Sequence, residues 1–153
     1  MRREWTTAAL AAIALLAACG GADPRCTAVH DAIVTSFSQN PDCPSPVGVC
    51  TDGTIASGDF AGTTRFVAMT ARAGPSPDST FYEGDLAITA ANGTITLRDN
   101  GMLNGATGFY LEMQEVVSGT GGYQGYTGLL ISQGMATATG FEGTLSGSIC
   151  APN

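Results

Sequence analysis

The chain has 153 residues, room for one domain, and only 12% of them are Asp, Glu, Lys or Arg, about half the share of an ordinary soluble protein. Its 21 glycines, many Thr and Ser and absence of Lys exclude a helical bundle, because Gly and Thr weaken helices whereas Thr, Val, Ile and aromatic residues suit a pleated sheet. A formal charge of −7 without any basic run excludes a nucleic-acid surface, whose phosphates require clustered Lys and Arg.

The N-terminal segment reads as an address. Arg2 and Arg3 supply a positive start, Ala8 to Leu15 an apolar stretch, and Leu16-Ala17-Ala18-Cys19 is similar to the lipobox of bacterial lipoprotein signal peptides. The apolar span Ala8 to Cys19 is too short to cross a bilayer as a helix. Residues 1–18 are therefore expected to be cleaved and Cys19 to carry acyl chains, each buried methylene contributing ~0.8 kcal/mol of membrane affinity. Residues 19–25 form a short tether. The mature chain keeps four arginines and twelve acids, a charge of 4 − 12 = −8. With Gly20 rather than Asp after the cysteine, the resemblance implies an outer-membrane lipoprotein, periplasmic or surface-facing.

Beyond the tether the pattern has period two. Thr27 to Ser38 alternates Val29, Ile33 and Phe37 against His30, Ser36 and Ser38 and predicts a first strand, with a helix over Ala28 to Phe37 as the competing reading. Val47 to Ser57 predicts a second and Thr63 to Arg72 a third, followed by the loop Gly74-Pro75-Ser76-Pro77-Asp78. Thr80 to Ala90 predicts a fourth, with Tyr82, Leu86 and Ile88 on one face. Ala91-Asn92-Gly93 supplies left-handed residues for a tight hairpin into a fifth strand, Thr94 to Asp99. Asn100 to Ala106 reads as a loop, and Thr107 to Ser118 as a sixth strand whose apolar face holds Phe109, Leu111, Met113 and Val117. After the turn Gly119 to Gly122, Tyr123 to Gln133 is the seventh strand. Met135 or Ala136 to Cys150 is the eighth, with Phe141, Leu145 and Ile149 alternating against Glu142, Thr144, Ser146 and Ser148. Eight short strands without intervening helices predict an all-β fold, an eight-stranded antiparallel closed barrel over residues 26–153. Such a barrel leaves room for side chains or one small ligand.

Five cysteines are odd for an exported protein, but assigning Cys19 to the lipid leaves four that an oxidising compartment would pair. Cys43 and Cys50 enclose a short loop with two prolines and a glycine, and the remaining Cys26 and Cys150 face each other if the first and last strands meet. Four cysteines permit three pairings, and the runner-up joins Cys26 to Cys43 and Cys50 to Cys150. Cysteine or histidine at zinc-ligand spacing is missing, and no metal or other cofactor is expected.

The segment Gly119-Thr120-Gly121-Gly122-Tyr123-Gln124-Gly125-Tyr126-Thr127-Gly128 resembles the GTG-x-[aromatic]-x-G-x-x-G signature of allene oxide cyclase-like and dirigent-like barrels in their bacterial exported form. Gly93 to Gly101, Phe109 to Val117 and Gly143 to Gly147 are similar too. In this motif Gly119, Gly121, Gly125 and Gly128 permit positive φ and sharp bends, with Thr120 between them, and Tyr123 can cover a barrel end. The resemblance implies a calyx binding apolar molecules, plant relatives that steer cyclisation or radical coupling by shape, and a homo-oligomer such as a trimer. It carries over no catalytic residue.

Strand parity places three carboxylates with apolar neighbours: Asp31 with Val29 and Ile33, Asp99 with Ile95 and Leu97, and Glu115 with Phe109, Leu111 and Met113. If those faces point inward, desolvation raises their pKa values and suits acid or base work; the alternative puts them at the rims. Arg65, on the parity of Val67 and Met69, would pair with such an acid or lie outside. His30 has no Ser and Asp partners at triad spacing, and Glu83-Gly84-Asp85 falls short of the six to eight oxygens calcium takes. Three functions compete: a lumenal binder of a small hydrophobic ligand, a cyclase or isomerase, and a filled barrel that interacts through its outer wall. Its expected partners are the membrane, through Cys19, and that ligand, with no nucleic acid.

Overall fold

The computed structural model describes residues 23–40 and 42–153. The expected leader, Cys19 and residues 20–22 of the tether lie outside the described residues. Eight antiparallel strands follow one another around a closed barrel: β1 Cys26–Phe37, β2 Cys50–Ile55, β3 Gly62–Ala73, β4 Ser79–Ala90, β5 Gly93–Asn104, β6 Phe109–Gly119, β7 Thr127–Ala136 and β8 Gly140–Cys150. β8 returns to pair with β1 from Cys26↔Cys150 to Ser36↔Gly140. Closure leaves no unpaired edge to template aggregation. The helix alternative for the first segment fails because Val29, Asp31 and Ile33 are buried while Ala28, His30 and Ala32 are exposed, a period of two.

Several boundaries differ from expectation, each because tertiary pairing overrides local propensity. β5 runs through the Asn-Gly stretch to Asn104, since Asn100 and Gly101 are paired on both sides, with Glu83 and Tyr82 of β4 and with Met113 and Glu112 of β6. Val47 to Val49 precede β2 and belong to the loop closed by Cys43 and Cys50. Tyr123 sits in a short 3₁₀ turn, Gly121–Tyr123, rather than in β7. The β4–β5 turn is Ala91-Asn92, and no described non-glycine residue has positive φ, so Asn92 is not left-handed. That turn is held from outside instead: the Gly122 N–H donates to the Asn92 carbonyl at 2.7 Å. Gly121, at φ 58°, packs so closely on the same carbonyl that a Cβ would collide with it.

The largest correction concerns β6. Phe109, Leu111, Met113 and Val117 face outward, 38–51% exposed, and Tyr110, Gln114 and Val116 are the buried residues. The register dictates this, because Leu103 and Tyr110 pair across the β5–β6 connection and share the inner face with Leu97 and Asp99. The outer faces of β6 and β7 form an apolar stripe in which Phe109 pairs with Met135 and Met113 with Ile131.

The barrel has one plugged end. The chain enters and leaves there, next to the β2–β3, β4–β5 and β6–β7 connections. Ile55, Ile88, Ile95, Leu97, Leu130, Leu145 and Ile149 fill the interior and are all 2% exposed or less, each contributing about 1.5–3 kcal/mol through apolar burial. Phe60 and Tyr123 close the end with rings 5.5 Å apart, and the Tyr123 hydroxyl donates to the Asp59 carbonyl at 3.1 Å. Tyr123 thus covers a barrel end, as its place in the glycine motif suggested. Two disulfides, Cys26–Cys150 and Cys43–Cys50, tie the β1–β8 seam and the β1–β2 loop.

Candidate functional site: an apolar lumen on a carboxyl base

Toward the other end Thr35, Thr51, Ala68 and Ser132 stand among larger rings, and the lumen opens into a cavity of about 300 Å³. Its walls are mainly apolar. Ile33 and Phe37 come from β1, Phe66 and Ala68 from β3, Leu86 from β4 and Phe141 from β8, while Val47 and Val49 of the disulfide loop stand at the mouth. The rings pack edge to face, Phe66 on Tyr82 at 6.1 Å and Tyr110 on Phe141 at 5.4 Å, the geometry that aromatic quadrupoles favour. Gly101 makes room for this arrangement, because any Cβ there would run into the Tyr82 ring.

The polar groups gather at one place on β4, β5, β6 and β7. Gln114 donates from Nε2 to Asp99 Oδ2 at 3.1 Å and to Glu112 Oε2 at 3.0 Å, so one amide bridges two carboxyls on adjacent strands. The Tyr82 hydroxyl donates to Glu112 Oε1 at 2.7 Å, and the Ser132 hydroxyl to the Tyr110 oxygen at 3.3 Å. Asp99 is 1% exposed and Gln114 fully buried, yet Asp99 Oδ1 and Gln114 Oε1 accept no hydrogen bond. Buried polar atoms normally find partners, and these two unpartnered acceptors, sealed from solvent, belong to residues that line one cavity.

Burial raises the Asp99 pKa well above the carboxylate range, the neighbouring Glu112 raises it further, and the Gln114 amide opposes both. Burial also lifts Glu112, against hydrogen bonds from Tyr82 and Gln114. Both carboxyls therefore ionise less readily than ordinary ones, and two like charges bridged by one amide resist joint ionisation. Burial, then the Glu112 charge, pushes the Tyr82 phenol upward, and burial does the same to Tyr110. Such a base can accept hydrogen bonds from a bound molecule or exchange a proton with it.

Of the three carboxylates expected to approach the lumen, only Asp99 lines the cavity. Asp31 is buried, but its carboxylate lies against Gly58 of the β2–β3 loop and does not reach the cavity. Glu115 is exposed on the outer face of β6, reversed with the rest of that strand. Arg65 lies outside, paired with Asp52 at 3.0 Å, Asp85 pairs with Arg98 at 2.6 Å, and His30 is exposed. Glu112, Gln114, Tyr82 and Tyr110 escaped the sequence reading as site residues. The signal that reveals the β6 members is the length of β5: a strand carried on to Leu103 puts Tyr110, Glu112 and Gln114 inward. Comparison with family models, with curated proteins and with solved structures finds no match to this chain.

Proposed function

We propose that this protein is a lipid-anchored cell-envelope barrel that binds a small, mainly hydrophobic molecule in its lumen. One observation carries the reading, the apolar cavity of about 300 Å³ ending on a buried polar base, within the size and lining of small-molecule sites. It favours a binder over a barrel filled by its own side chains. The anchor at Cys19 rests on the lipobox, and two disulfides suit an exported protein. Residues 23–25 lead into β1 at the plugged end, opposite the mouth. The outer stripe of β6 and β7 is the surface on which copies would associate.

The test is uptake of the neutral dye Nile red. Wild-type protein is expected to bind it with saturable fluorescence enhancement, and Ala68→Phe, which fills the cavity, to abolish that signal while keeping the β-sheet circular dichroism spectrum. Equal binding by both proteins would move the site elsewhere. A second reading, a cyclase or isomerase of the allene oxide cyclase type, is favoured by the Asp99–Glu112 pair, whose retained proton is suited to general acid chemistry.

A further inference from the structure

The lumen base is unbalanced in two respects, and together they define the head group it would accept. The first is charge. Asp99 and Glu112 face the cavity, yet every described arginine lies outside the wall: Arg25 pairs with Asp23, Arg65 with Asp52 and Arg98 with Asp85, and Arg72 stacks on Phe81 at 4.9 Å. The one histidine, His30, is exposed on the outer face. A buried carboxyl pair without a cation is costly when ionised.

The second is hydrogen bonding. Both orphan atoms, Asp99 Oδ1 and Gln114 Oε1, are acceptors on residues 1% exposed or less that line the cavity. Of the donors at the base, Gln114 Nε2 serves both carboxyls and Tyr82 serves Glu112, while the Tyr110 hydroxyl accepts from Ser132 and keeps its own O–H. A head group that completes this set brings more than one N–H and a positive charge. A neutral alcohol brings a single donor and leaves an acceptor orphaned. A carboxylate brings none and adds a third negative charge.

We infer that the lumen takes an apolar primary amine, its ammonium seated on Asp99, Gln114 and Glu112 and its hydrocarbon body along Phe66, Leu86 and Phe141. This deepens the binding reading and rests on it. The ammonium competes with a proton for the carboxyl pair: where the pair is protonated, that proton passes to solvent as the ammonium enters, and the charge of the site is conserved. The titratable groups facing Asp99 are Glu112 and Tyr110 of β6 and Tyr82 of β4, with Asp85 of β4 acting from the outer side. β3 and β7 bring none to the cavity. Amine affinity is therefore expected to rise with pH as the pair gives up its proton.

Octylamine, octanol and octanoate share a hydrocarbon body and differ only in head group. Titrated against Nile red bound to the full mature chain at pH 8, octylamine is expected to displace it at a concentration at least about tenfold lower than octanol, the scale of a charge-assisted hydrogen bond, with octanoate weakest. Asp99→Asn is expected to weaken octylamine by about tenfold or more and leave octanol unchanged. Glu112→Gln should shift the same selectivity in the same direction. Isothermal titration in buffers of different ionisation enthalpy should register proton release with the amine alone. If octanol or octanoate matches octylamine, or Asp99→Asn leaves amine affinity intact, the ammonium head is overturned and lumenal binding stands. If Nile red and all three octyl compounds fail to bind, the cavity reading falls with it.

Discussion

At the end of the barrel where the chain enters and leaves, inward positions are Ile55, Ile88, Ile95, Leu130, Leu145 and Ile149; toward the mouth Thr35, Thr51, Ala68 and Ser132 stand among the rings of Phe66, Tyr82, Tyr110 and Phe141, with Asp99 and Gln114 between. Both halves belong to one continuous antiparallel ladder. How the side chains fill the interior therefore decides which half is plug and which is pocket, and packing density turns that choice into stability in one half and binding in the other. The two properties are separable by position.

The largest effect is expected in the plugged half. Leu130→Ala removes a fully buried side chain and should cost about 2–5 kcal/mol in chemical denaturation, with the folded protein binding Nile red as before. A matching loss of dye affinity would break the separation.

In the pocket half the sign reverses. Burial and Glu112 raise the folded-state pKa of Asp99, so the folded barrel holds that proton more tightly than the unfolded chain does. The stability this confers is complete below the ordinary carboxylate pKa of about 4 and is lost as pH rises through the folded value. Asp99→Asn should therefore stabilise the unliganded barrel by about 1–3 kcal/mol at pH 8, and the gain should vanish toward pH 4. A pH-independent difference would argue against a proton held at the base. On the outer wall, Arg98→Ala breaks an exposed pair with Asp85 and should leave the thermal midpoint unchanged, as surface ion pairs contribute little.

The architecture was legible because eight segments alternate with period two and the connections are rich in Gly, Pro and Asn. Asp99 was legible for the same reason, sharing a parity with Ile95 and Leu97. Glu112 was hidden because the inner face of β6, Tyr110-Glu112-Gln114, is more polar than the outer face, Phe109-Leu111-Met113. A rule that turns apolar residues inward gives the reverse orientation on a strand whose inner side lines a pocket. Only the pairing of Leu103 with Tyr110 corrects it, and that lies beyond the point where Asn100-Gly101 suggested a loop. The 3₁₀ turn at Gly121–Tyr123 was obscured by the aromatic and β-branched residues around it, which suit a strand equally well.

The bridge between Cys26 and Cys150 stands at the first pair of the β1–β8 seam. Any pull transmitted through the chain ahead of β1 reaches Cys26 and passes at once to the last strand, which loads the whole seam along its length. Unzipping of β1 from β8, one hydrogen bond at a time, cannot start at that end. Mechanically that seam is riveted at its end, and a force on the chain ahead of β1 must break covalent sulfur before β1 and β8 part from there.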